Sequence, residues 1–107
     1  MTTIPPLVAK LLAYLQEPNT PHPYDYSCQY AALRDKDIPF LTEFIKADTK
    51  WEKLSFYCNS IGDAGARELG RALHDNKTCL FLNMGRTEIT DAGVKAFAEE
   101  FQGNTTI

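Results

Sequence analysis

A chain of 107 residues fits one domain and can bury a core without disulfide or metal staples. An apolar share of 44% and a formal charge of -3 are ordinary for a soluble globular protein, and the mild acidity argues against the clustered Lys and Arg of a nucleic-acid binder. No run of about 18 apolar residues is available to span a bilayer, and the N-terminus lacks the basic start, apolar stretch and cleavage site of a secretion signal.

Residues 4–16 predict an amphipathic helix, with Pro5-Pro6 suited to its first turn. Leu7, Leu11 and Leu15 fall on one face at i, i+4, i+8, and Val8, Leu12 and Tyr14 widen the stripe. A single Lys10 gives poor support for a membrane-surface helix. The expected role of residues 1–16 is a cap over the core that follows. Pro18, Pro21 and Pro23 then mark 17–24 as an extended linker.

From there the apolar pattern runs in three phases, about 24–51, 52–79 and 80–107. In the first, Tyr26 and Cys28 alternate as a strand does, and Ile38, Leu41, Thr42 and Ile45 follow the stripe of a helix with one buried face. Phe40 and Phe44 add aromatics at phases held by Glu68 and Ala72 in the second and by Ala96 and Glu100 in the third, which the N-terminal helix would bury. The second phase alternates at Leu54-Ser55-Phe56 and turns helical at Ala66, Leu69, Gly70 and Leu73. The third does so at Leu82-Asn83-Met84 and at Val94, Phe97, Ala98 and Phe101. Ile61-Gly-Asp-Ala-Gly65 returns as Ile89-Thr-Asp-Ala-Gly93, an offset of 28. Such a fixed period indicates stacked units, none of which buries its apolar side alone. The first unit keeps the apolar phase but has Asp37 for Gly65 and Ala31 for Asn59.

Asp63 and Asp91 stand where a helix N-cap belongs. Gly65 and Gly93 come too early to stop a helix, which assigns them to close packing of the turn. Asn76 and Asn104 fall near the helix ends, where Asn tolerates the left-handed conformation.

Leu54, Phe56, Asn59, Ile61, Gly62, Asp63, Gly65, Leu69, Leu73, Asn76 and Thr78, at these spacings, resemble the leucine-rich repeat of the ribonuclease-inhibitor-like subfamily. The likeness covers about residues 24–107, with Thr87 in place of the Asn59-type residue and Met84 in place of an aliphatic or aromatic one. It implies an α/β fold: a short leucine-rich-repeat solenoid of about three strand–helix repeats, with a parallel sheet on a concave face and an N-terminal helical cap. Members of that family generally bind proteins. The expected function is therefore a protein–protein interaction module, or alternatively a targeting domain of a larger GTPase regulator, ubiquitin-transfer factor or bacterial effector.

In such a strand alternate side chains face the concave surface, in columns Asp25, Lys53, Phe81; Ser27, Ser55, Asn83; and Gln29, Tyr57, Gly85, with Tyr30, Cys58 and Arg86 just beyond. Tyr30, Lys53, Tyr57, Phe81, Asn83 and Arg86 form the expected protein-binding set, since Tyr, Phe and Arg have the composition of an interface. The third unit ends at Ile107 with no capping segment, so the expectations include a longer parent chain or self-association through that edge.

Chemistry is not expected. Asp63 and Asp91 are accounted for by the repeat, Glu99-Glu100 reads as a solvated face, and neither His22 nor His74 has a metal-spaced partner. Cys58 has no base placed beside it by the repeat. There is no phosphate loop, Gly-x-Ser-x-Gly or His-Glu-x-x-His motif. The reading is no enzyme, no cofactor, no metal, no nucleic acid and no membrane. Cys28, Cys58 and Cys79 are odd in number and lack metal spacing, which suits reduced thiols and a cytoplasmic setting, or an exported effector in a host cytosol.

Overall fold

The computed structural model describes residues 4–16, 28, 32–48 and 51–104. The expected linker 17–24, with His22, lies outside them. So do Asp25, Tyr26, Ser27, Gln29, Tyr30, Ala31, Lys50 and the end of the third unit, 105–107. The chain forms α1 (Pro6–Gln16), a 3-10 helix (Asp35–Phe40), α2 (Thr42–Ala47), β1 (Lys53–Ser55), α3 (Asp63–His74), β2 (Phe81–Asn83) and α4 (Asp91–Phe101). Among the described residues no helix is long and apolar enough to cross a membrane.

The expected three-repeat solenoid with a parallel sheet is not what forms. Helix takes up 54% of the described residues, and among them the one sheet has two parallel strands of three residues each. Lys53 pairs with Phe81, Leu54 with Leu82 and Ser55 with Asn83. The strands are short because the chain leaves the extended line at once, turning at Tyr57-Cys58 and Gly85-Arg86, where Cys58 and Arg86 take positive φ of 59° and 50°. Among its described residues the first unit adds one isolated bridge, Arg34 to Ser60. Its expected single helix is broken into a 3-10 segment and a six-residue α-helix. Pro39 is the cause: it lacks an N–H, and its ring crowds the carbonyl four residues back.

What survives is the spacing of contacts. The Cys28 amide donates to the Ser55 carbonyl at 2.9 Å, and 28 residues on the Phe56 amide donates to Asn83 at 2.7 Å. The Ser60 amide donates to Leu33 at 2.9 Å, and that of Glu88 to Ile61 at 2.8 Å. Around these bonds lies one core that includes Leu33, Ile38, Leu41, Ile45, Trp51, Leu54, Phe56, Ile61, Leu69 and Leu73, all nearly inaccessible.

The N-terminal helix meets this core along most of the expected stripe, turned so that Leu7 is left out of it. Val8 and Leu15 are buried, Leu11 and Leu12 half-buried, and Leu7 is 68% exposed. The turn of the helix is set by Trp51, whose indole Nε1 donates to the Leu15 carbonyl at 2.9 Å while Tyr14 stacks obliquely on its ring, centroids 6.0 Å apart. Phe40 and Phe44 pack half-buried against the same core.

Candidate protein-binding face and the ties beneath it

Buried asparagines hold the strand ends. Asn59 donates to the carbonyls of Cys28 and Phe56, at 2.9 and 2.8 Å, and accepts the Leu33 amide at 2.9 Å. Thr87, which holds that phase in the next unit, makes one bond, from its hydroxyl to the Met84 carbonyl at 2.9 Å. Asn76 and Asn104 are not in the left-handed conformation. Their amides instead donate to the carbonyls of Ile45 and Leu73, each at 2.6 Å, capping the last turn of the preceding unit's helix.

The aspartates also act between units. Gly62 and Thr90 occupy the N-cap positions of α3 and α4, without a side-chain cap bond, so Asp63 and Asp91 are first residues of the helices rather than caps. Asp63 reaches forward and accepts both the Thr90 amide and the Thr90 hydroxyl at 2.7 Å. Asp35, missed in the sequence, does the same to the Gly62 amide at 2.7 Å. Its position 28 residues before Asp63 was the available signal. Gly65 and Gly93 are where these carboxylates need room: a Cβ on either would strike the Asp35 or the Asp63 carboxylate.

Hydrogen bonds from the Thr90 hydroxyl, then from its amide, hold the Asp63 carboxyl below its ordinary range. A depressed folded value means that the tie contributes above the unfolded carboxylate range and is lost as pH falls through the folded value. Acid titration of unfolding below about pH 4 should therefore be shallower in Asp63→Asn than in the parent chain. Equal slopes would show that the carboxylate contributes nothing there. Glu100, expected on a solvated face, is likewise held low, first by the hydrogen bond from Arg71. It bridges Arg67 at 2.9 Å and Arg71 at 3.2 Å, tying α3 to α4.

Above these ties, the two strands present one face. Leu54 and Leu82 point inward, while Phe81 is 61% exposed and the Lys53 ammonium sits 5.2 Å from its ring centroid. Asn83 is exposed and its Oδ1 accepts the Gly85 amide at 2.8 Å, shaping the turn. The half-buried Tyr57 ring lies against Gly85, where a Cβ would come within 3.2 Å of it. Arg86 is exposed on the same turn.

No protein-family model matches the chain, and no curated protein matches it.

Of the expected binding set, Lys53, Tyr57, Phe81, Asn83 and Arg86 are thus gathered on β1, β2 and their turns, and Tyr30 is outside the described residues. Two neighbours differ from expectation. Ser55 is buried, 1% exposed, and its hydroxyl accepts the Tyr57 amide at 3.4 Å. Leu80, not singled out in the sequence, is 42% exposed beside Phe81. It stands at the phase of Glu52, so an apolar residue in a polar phase was its only signal. Cys58 is a half-buried free thiol, whereas burial pushes the Cys79 thiol up.

Proposed function

We propose that this chain is a non-enzymatic interaction module that binds a partner protein through the face made by Lys53, Tyr57, Phe81, Asn83 and Arg86. The observation that supports it is Phe81, a large aromatic standing open on a strand with a lysine across its ring and Leu80 beside it. Leaving that much apolar surface in water is unfavourable, by about 25 cal/mol for each Å² left unburied, and aromatic residues are enriched in interface cores. Lys53 and Arg86 at the margin suit a partner with acidic residues around an apolar centre. A Lys–aromatic contact contributes only about 0.5–1 kcal/mol when exposed, so Phe81 is available for recruitment into a larger contact.

The test is capture by a photoreactive residue at Phe81, in the parent chain and in a Tyr57→Ala/Arg86→Asn variant. Asparagine is chosen because it tolerates the positive φ of that turn. The expected result is one crosslinked protein lost in the variant, with the circular dichroism of the two chains alike. An unchanged crosslink would remove the face from consideration.

A further inference from the structure

Among the described residues, helix α3 is covered on both flanks and α4 on one. Toward the next unit, α3 presents Ala66, Arg67, Gly70 and Arg71. α4 closes over them: Ala66 and Gly70 are buried, a Cβ on Gly70 would come within 2.8 Å of the Phe97 carbonyl, and both arginines reach Glu100. The same arc of α4, 28 residues on, is Val94, Lys95, Ala98 and Glu99, and all four are exposed, Val94 by 59%. Beside that arc Phe97 and Phe101 are only half-buried, stacked with centroids 5.3 Å apart, where their counterparts Leu69 and Leu73 are fully enclosed.

We infer that this uncovered face of α4 is an interface between two copies of the chain, with α4 lying antiparallel to its counterpart. The charges choose that occupant. On α3 the arc carries two arginines, met by one acid of the following unit. On α4 it carries one charge of each sign, Lys95 and Glu99, about 6 Å apart along the axis, and neither has an ion-pair partner among the described residues. Such a pair is its own complement under a twofold axis. With that axis at the level of Phe97, Lys95 of each copy meets Glu99 of the other, and Val94 and Ala98 close the apolar centre. Head-to-tail stacking would need an open first unit. That side carries α1, through Val8 and Leu15, so the contact closes as a dimer.

Sedimentation of the full chain up to millimolar concentration tests the pairing. The parent chain dimerises, and Val94→Glu, at an exposed position that leaves the fold intact by circular dichroism, is monomeric. Lys95→Glu and Glu99→Lys each place like charges at both symmetric contacts and weaken the dimer about tenfold. Mixing the two single variants restores it, because every contact in the mixed pair is again of opposite sign, and the double variant regains parental affinity alone. A parent chain that stays monomeric overturns the inference and leaves the face to another occupant. A dimer indifferent to Val94→Glu, or single variants whose mixture gains nothing, overturns the α4 geometry. None of these readouts involves Phe81 or Arg86, so failure here is distinguishable from failure of the strand-face reading.

Discussion

Asn59→Ala is expected to cost about 3 kcal/mol or more of unfolding free energy, a large share of the 5–15 kcal/mol typical of a domain. The residue is 4% exposed and its three short bonds, 2.8–2.9 Å, go to main-chain groups, the Leu33 amide and the carbonyls of Cys28 and Phe56, beside a longer one to the Tyr57 carbonyl at 3.4 Å. Alanine leaves all three without a partner, and an unmet buried polar group costs about 1–3 kcal/mol. Thr87→Ala is the internal control. It sits at the same phase one unit later, is half-buried, and removes one bond, from its hydroxyl to Met84, so its cost should be about 1 kcal/mol. Urea unfolding of the two variants measures both. Comparable losses would mean that the three bonds of Asn59 are not worth more than the one of Thr87.

Trp51→Ala is expected to be as severe by another route. The indole is 1% exposed, touches Tyr14, and donates to the Leu15 carbonyl near the end of α1. Truncation of a buried tryptophan costs about 3–5 kcal/mol through lost transfer energy and the cavity left behind. The damage should be directional: α1 loses its polar anchor and its neighbour in the core together, so its amides should exchange with solvent much faster than those of α3. Trp51→Phe keeps most of the volume and gives up the Nε1 bond, and should retain the core while loosening α1 by a smaller amount. Hydrogen exchange resolved by segment distinguishes these outcomes. Uniform acceleration across α1 and α3 would show that Trp51 supports the core without holding the helix.

The sequence disclosed the 28-residue spacing, both long helices after residue 52, and, to within one residue, the strands of the second and third units, because apolar side chains there recur with a period that local physics enforces. It did not disclose how little sheet would form. Strand length depends on where the backbone turns, and Cys58 and Arg86 are not residues that announce a positive φ. The first unit departs from its predicted single helix for a legible reason, since Pro39 stands inside the predicted stripe and splits it. In the N-terminal helix, Leu7 and Val8 compete for the core. Tertiary contact with Trp51, far away in the chain, selects the stripe containing Val8 and Leu15. At the candidate face, alternation placed Lys53, Phe81 and Asn83 outward. Alternation also placed Ser55 outward, and there the turn that brings Tyr57 back over the strand buries it. The forward-reaching aspartates were hidden because capping is a local expectation and their partners lie one unit away.

Those forward ties bear on how the chain is made. The carbonyl of Ile45, which among the described residues of its own unit has only a long bond from the Asp48 amide, waits for Asn76, 31 residues later, and the Asp63 carboxylate for Thr90, 27 residues later. On a ribosome adding roughly 5–20 residues per second, each unit therefore stands unfinished for a few seconds until its successor emerges. The polypeptide is completed from its N-terminal side in instalments, each new stretch supplying the hydrogen bonds that its predecessor lacks.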